Sequence, residues 1–265
     1  MITAWIEGVG VYAPGLVGWQ QAAAVLAGKV PYAPDPPPKL VPALLPADLR
    51  RRATEHIRLA VEVGAQAVQQ AQADAGPLRS VFASSESDGA ITHSLCEELA
   101  RANPEVSPTR FHNSVNNAPA GYWCMAVQSR APSTSVAGFD ASFAVGLIEA
   151  GAQLYGEQER VLLAAHDTPL PEPLHSARPL SAIFGAALVL APQPGARSLA
   201  RIAFVIEPKL QALSRLPGAG LEGLRTGNPA ARILPLLAAV ARHDTVELLV
   251  PYVHGHALRI SVAPA

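Results

Sequence analysis

The sequence predicts an α/β layered fold. Two observations carry that expectation. Strand patterns alternate with helical patterns along most of the chain, which is the order that packs helices onto the faces of a sheet. The 265 residues are 49% hydrophobic and only 15% charged, so a sizeable core can be buried. A charged fraction below the usual quarter also suggests a surface covered by something else, such as a subunit interface. A composition crowded with Ala and Pro accounts for it as well.

Ile2 to Tyr12 alternates and is rich in β-branched residues, which predicts a strand. Trp19 to Leu26 follows as a short helix, and Pro34 to Pro38 rules out regular structure in the next loop. Pro46 is expected to open one long helix with Asp48 in its first turn. Ile57, Val61, Ala65 and Val68 give it a buried stripe, and Gly76 and Pro77 end it. Val81 to Ala83 reads as a buried strand, Ser84 to Gly89 as a loop, and Ile91 to Ala100 as a helix. A helix over Asn116 to Val127 is expected to break early at Pro119. Ser133 to Val136 is a strand, Ala141 to Leu154 an apolar helix, and Arg160 to Ala165 and Ala182 to Leu190 are strands.

Gly195 begins a linker, which divides the chain into residues 1–195 and an abbreviated half over 196–265 that packs on the same core. In that half Arg201 to Ile206 predicts a strand and Leu216 to Gly227 a glycine-rich loop. Pro229 to Ala241 predicts a helix capped by Asn228 and kinked at Pro235. Val246 to Val250 and Leu258 to Val262 predict strands joined around Gly255.

The formal net charge of −1 leaves no electrostatic footprint for nucleic acid. Arg50, Arg51 and Arg52 form one basic cluster, read as a solvated helix segment or as a contact for an acidic carrier protein. Cys96 and Cys124 have no metal or disulfide spacing and lie on apolar helical stretches, so both are expected to be buried. No metal or cofactor is expected. The N-terminus lacks a signal-peptide pattern, and the apolar run from Ala182 to Ala191 is too short to span a bilayer, so a cytoplasmic protein is expected.

The segment Ala131-Pro-Ser-Thr-Ser-Val-Ala-Gly-Phe-Asp-Ala-Ser-Phe-Ala-Val-Gly-Leu-Ile-Glu-Ala150 resembles the active-site segment of β-ketoacyl synthases. In that family a strand bearing Gly-Pro-Ser runs into a tight turn with the nucleophilic cysteine, and the turn opens a helix of small residues. Counted from Pro132 and Ser133, the cysteine position falls on Asp140, and Ser142 matches the following serine. Gly8-Val-Gly-Val-Tyr12, Leu26-Ala-Gly-Lys29 and Ser181-Ala-Ile-Phe-Gly-Ala-Ala-Leu-Val-Leu190 resemble other elements of that fold. The stretch Phe111 to Trp123 is similar to a subgroup of short ketosynthase-like proteins from aryl-polyene pigment clusters, xanthomonadin-type systems included. Members of that subgroup look like chain-length factors, the second subunit of a ketosynthase heterodimer.

The resemblance covers about residues 2–192 and implies a thiolase-like layered α/β/α/β/α fold with a shortened C-terminal half. It also implies a non-catalytic chain. A condensing enzyme needs a thiolate poised at a helix start, and Asp140 is a feeble acceptor for a thioester. The family's histidine and asparagine motifs, similar to His-Gly-Thr-Gly-Thr and Asn-Phe-Gly-Phe-Gly, are absent; His254-Gly-His256 is the only histidine cluster after Ala200. Asp140 is expected to cap the helix beginning at Ala141, to shape the end of an acyl tunnel, or both. Phe139, Asp140, Ser142 and Phe143 would form the vestigial pocket, with core packing the alternative for the two phenylalanines.

The implied function is a chain-length-factor-like partner of an active ketosynthase, served by an acyl carrier protein in aryl-polyene or related polyketide or fatty-acid-type biosynthesis. The helix and strand after the active-site turn would pair across the subunit interface. Two alternatives stay open: an acyl-thioester hydrolase or acyltransferase using Ser85 or His166, and a homodimer that binds an acyl group or carrier. Ser84 to Asp88 lack a Gly-x-Ser-x-Gly frame and read as loop and cap residues, while His166 and Asp167 read as a strand-end turn. His112 and Asn113 read as loop or interface polar residues.

Overall fold

The computed structural model describes residues 1–208 and 212–265. In chain order its elements are β1 (Ile2–Ala13), β2 (Leu16–Val17), α1 (Trp19–Leu26), α2 (Ala47–Arg52), α3 (Glu55–Ala71), β3 (Arg79–Ala83), α4 (Gly89–Leu99), α5 (Pro108–Asn113) and α6 (Ala118–Val127). There follow β4 (Ser133–Val136), α7 (Ser142–Glu157), β5 (Val161–Asp167), α8 (Leu174–Ala177), β6 (Phe184–Ala191), β7 (Ala200–Glu207), α9 (Ala219–Gly227), α10 (Leu234–Arg242), β8 (Val246–Pro251) and β9 (Ala257–Pro264).

The strands form one mixed sheet in the order β4-β3-β5-β6-β1-β7-β9-β8, with β2 folded back on β1. β4, β3 and β5 run parallel, so their carboxyl ends share one edge. β6 inserts antiparallel between β5 and β1. β1 joins the two halves: Ile2–Ile6 pair with β7, while Trp5–Tyr12 pair with β6.

Both faces of the central strands are apolar, which explains the near-continuous hydrophobic runs of β5 and β6. Leu162, Ala164 and Val189 face α3 and α6, where Leu59, Val63 and Trp123 are fully buried. Leu163, Ala165 and Leu188 share the opposite core with Phe143 and Leu147 of α7 and Leu237 of α10. Leu248, Ile260 and Val262 of the last strands close that same core from the second half. The outer face of the last strands is polar, with Arg259 paired to Glu207 at 2.8 Å and set 3.6 Å from Glu247. Helix α3 comes close to β1 because Gly8 and Gly10 lack side chains. A Cβ at those positions would lie 2.1 Å from the Ala67 carbonyl and 2.0 Å from the Val63 carbonyl.

Several expectations need correction. The helix opened by Pro46 is two helices, because Ala53 is extended and Thr54 starts α3 by accepting a hydrogen bond from Ile57 N at 3.3 Å. That second helix ends at Ala71, with Gln72 left-handed, before Gly76. Pro119 sits in the first turn of α6, where it has no amide to lose, so it starts the helix and does not break it. Residues 219–227 are helix α9, since Leu221 and Leu224 bury one face despite the glycines. Cys96 is exposed and Cys124 only half-buried, because α4 buries just Gly89 and Ile91. His112 and Asn113 belong to helix α5, opened by Ser107 and Pro108.

Candidate functional site

The carboxyl ends of β4, β3 and β5 deliver three segments to one edge of the sheet: Gly138–Asp140, Ser84–Glu86 and His166–Asp167. Open α/β sheets place their sites at such an edge. Helices α3 and α7 press the strands from both faces, so side chains that leave the strand ends are held from below.

The turn after β4 is strained. Phe139 has a φ of +53°, in the left-handed region that an aromatic residue seldom adopts. A short 3₁₀ turn over Phe139–Ala141 separates β4 from α7, which therefore begins at Ser142. The Ser142 hydroxyl locks this turn: it accepts from Gly138 N at 3.0 Å and donates to the Phe139 carbonyl at 2.7 Å. Ser142 is buried and Phe143 packs fully into the core, whereas Phe139 is 60% exposed. The four residues expected in one pocket thus divide between core and surface.

Asp140 does not cap α7. The helix starts one residue later than a cap at Asp140 requires, and its N-cap is Ala141, which offers no side chain for the role. Instead the carboxylate accepts from Arg178 Nη2 at 2.7 Å. Arg178 Nε also donates to Glu86 at 2.8 Å, and its guanidinium lies 3.7 Å from the centroid of the Phe139 ring. One arginine therefore ties the β3 loop to the β4 turn through two charge-assisted bonds and a cation–π contact. Burial alone would lower the Arg178 pKa; hydrogen bonds to Asp140 and Glu86 outweigh it and raise it. Arg232 stands within electrostatic range of Asp140, and its buried Nε has no hydrogen-bond partner among the described residues.

The second group surrounds β5, whose last residues, His166 and Asp167, lie within the strand and are buried, not in a turn beyond it. Adjacent strand residues point to opposite faces. His166 meets His56 of α3 at 4.5 Å between ring centroids, and both His166 nitrogens are buried without hydrogen-bond partners among the described residues. Burial lowers the pKa of His56 to about 4, and burial followed by repulsion from His56 lowers that of His166. On the other side Asp167 accepts from Ser84 Oγ at 2.8 Å, Ser85 N at 2.8 Å and Ser85 Oγ at 3.1 Å. Burial still raises its pKa to about 6. Ser85 is bonded to a carboxylate and not to His166, so the structure does not assemble the serine–histidine pair that a hydrolase reading requires.

Among the described residues no group of three or more His, Cys, Asp or Glu side chains is arranged to hold a metal, and no helix is long and apolar enough to cross a membrane. Sequence reasoning placed Asp140 at the turn but missed Arg178 as its partner and the link through Arg178 to Glu86. Arg178 lies 38 positions away on an irregular segment, so only the tertiary fold brings it in.

The strand-to-strained-turn-to-helix arrangement and the layered sheet define a ketosynthase-type scaffold. The family described as "Beta-ketoacyl synthase, N-terminal domain" matches residues 19–217, and the chain belongs to that family. A search of curated proteins gave no match. Among solved structures, a chain of the ketosynthase complex with its chain length factor from Xenorhabdus doucetiae is similar at 21% identity and a TM-score of 0.75, covering 98% of this chain and 100% of that one. The ishigamide ketosynthase/chain length factor gives 14% identity and a TM-score of 0.72 over 99% of each chain. A type II polyketide ketosynthase–acyl-carrier protein complex gives 13% and 0.73 over 100% of this chain and 99% of that one. The expected thiolase-like layered fold is therefore the one observed, with three strands and two α-helices described in its second half.

Proposed function

We propose that this chain is a non-catalytic, chain-length-factor-like subunit that partners an active β-ketoacyl synthase in aryl-polyene or related polyketide or fatty-acid-type biosynthesis. The observation that carries the reading is the occupancy of the nucleophile turn. Where a condensing enzyme needs a thiolate, this turn holds the Asp140 carboxylate, already engaged by Arg178 at 2.7 Å. A carboxylate bound by a guanidinium is a still poorer acyl acceptor than a free one. Cys96 and Cys124 lie on α4 and α6, outside the turn. The partner would supply the cysteine and the decarboxylating residues, and an acyl carrier protein would deliver the growing chain.

The fold favours one edge for the pairing. Strand β5, which follows the turn, lies between β3 and β6 and has no free side, so it cannot pair across an interface as expected from the sequence. β4 is the outer strand, with β3 on one side only. Its other side offers unpaired backbone groups to a partner strand, and Phe139 and Met125 are exposed on the adjoining turn and helix. Co-expression with a candidate partner ketosynthase, followed by size-exclusion chromatography with light scattering, tests the proposal. A stable one-to-one complex supports it; a homodimer that ignores the ketosynthase overturns it.

A further inference from the structure

We infer that the cavity lined by α3, α4 and α5 binds a small zwitterionic α-amino acid, its ammonium group on Asp88 and its carboxylate on Arg110. The inference rests on groups that take no part in the nucleophile turn and does not depend on the proposed partnership.

Three helices and one strand end line the space. The first turn of α3 supplies Glu55 and His56, the start of α4 supplies Asp88 and Ile91, and α5 supplies Arg110. Thr168, directly after β5, completes the lining. The cavity measures about 210 Å³. At about 30 Å³ for each water of the liquid, that is room for about seven heavy atoms.

Its buried part carries two polar atoms without hydrogen-bond partners among the described residues, Asp88 Oδ2 and His56 Nδ1. Asp88 is only 5% exposed and His56 only 2%. Asp88 Oδ1 is spent on capping α4, where it accepts from Ile91 N at 3.0 Å, so Oδ2 is the oxygen left for a ligand. Burying a carboxylate oxygen without a donor is unfavourable, and an ammonium group brings three donors with the opposite charge. One side of the His56 ring is taken by the His166 ring at 4.5 Å. Burial keeps the His56 imidazole neutral, so Nδ1 can donate or accept according to its tautomer.

The rim is exposed and carries both signs of charge. Arg110 donates through Nη1 to the neutral Ser94 hydroxyl at 2.9 Å and has no ion pair among the described residues, which leaves the rest of its fork for a carboxylate. Glu55, also exposed, adds a second negative charge that favours an ammonium group. Among the described residues these side chains do not form a metal-ligating group. An anion alone would meet two carboxylates, and a cation alone would leave Arg110 unused. A zwitterion answers both, and Ile91 offers an apolar surface to a short side chain.

L-alanine, L-serine and L-valine are the probes, titrated separately into the full chain by isothermal titration calorimetry. Saturable one-to-one binding of at least one is expected, with a rise in melting temperature as its concentration increases. Arg110→Gln should weaken binding about tenfold or more, equivalent to about 1.4 kcal/mol, while the melting temperature without ligand stays unchanged. Asp88→Asn should weaken it at least as much, and asparagine keeps the α4 cap. Propylamine and propionate, which each lack one of the two charges, should bind at least tenfold more weakly than the amino acid. The inference is overturned if none of the three amino acids binds saturably, if propylamine or propionate binds as tightly, or if either variant binds as wild type.

Discussion

Arg178 and Asp140 are joined by a 2.7 Å ion pair that crosses from the segment before β6 to the turn before α7. The same guanidinium stacks on Phe139 and binds Glu86, so one residue fixes a strained turn to its neighbouring loop.

Removing this brace should destabilise the fold modestly. The Arg178 side chain is 22% exposed but Asp140 is 45% exposed, so the ion pair is partly screened. Arg178→Ala should cost about 1–2 kcal/mol, summed from weak ion pairs and a cation–π contact. Asp140→Asn should cost less, because the amide oxygen still accepts from Nη2. Thermal unfolding followed by circular dichroism checks the order, with a drop of about 2–4 °C per kcal/mol for a chain of this size.

Acid sensitivity should come from the β5 end. His56 and His166 are held neutral in the folded chain, so each takes up a proton on unfolding below about pH 6.5. Their contribution is full above that pH and is lost as pH falls toward about 4, the folded value of His56. Asp167 acts oppositely. Its pKa is raised to about 6, so the folded chain keeps a proton that the unfolded chain releases above about pH 4. Its contribution is present at low pH and lost as pH rises through 6. Two histidines against one aspartate leave a net gain of one proton on unfolding. Stability should therefore rise with pH between roughly pH 4 and 6. Denaturant melts across that range should show this rise in wild type, a near-flat profile in His56→Gln and a steeper one in Asp167→Asn.

Two glycines should respond with opposite signs. At Gly10 a Cβ would sit 2.0 Å from the Val63 carbonyl, and helix α3 must retreat from β1 to admit it. Gly10→Ala should cost about 3 kcal/mol, at the upper end of overpacking changes. At Gly223, in α9, nothing lies within 4 Å of a built Cβ. Gly223→Ala should stabilise by about 0.5–1 kcal/mol through helix propensity and reduced unfolded-state entropy. Urea midpoints of the two variants measure both effects.

Much of this arrangement was legible in the sequence because it is local. Ile2 to Tyr12 alternates and is β1, whereas the approach of α3 to Gly8 and Gly10 joins segments more than 50 residues apart and shows only in the fold. The position of Asp140 followed from a motif, but its partner did not. A reading of the turn alone assigned the carboxylate to the nearest helix start, whereas a charged donor from 38 residues away claims it. Residues 219–227 looked like a glycine-rich loop because propensity was weighed without the burial of Leu221 and Leu224. The break at Thr54 is absent from the expected helix because the apolar stripe from Ile57 to Val68 was extended back to Pro46. Cys96 was misplaced because an apolar stretch says nothing about which face of a peripheral helix is covered.

The central claim is that this chain contributes to condensation without performing it. Malonyl-dependent chain elongation measured with a candidate partner ketosynthase alone, with this chain alone and with the two together tests it most directly. The account predicts elongation only from the pair, and none from this chain alone even as Asp140→Cys. Elongation by the isolated chain, or by the ketosynthase at an equal rate and product length without it, would contradict the account.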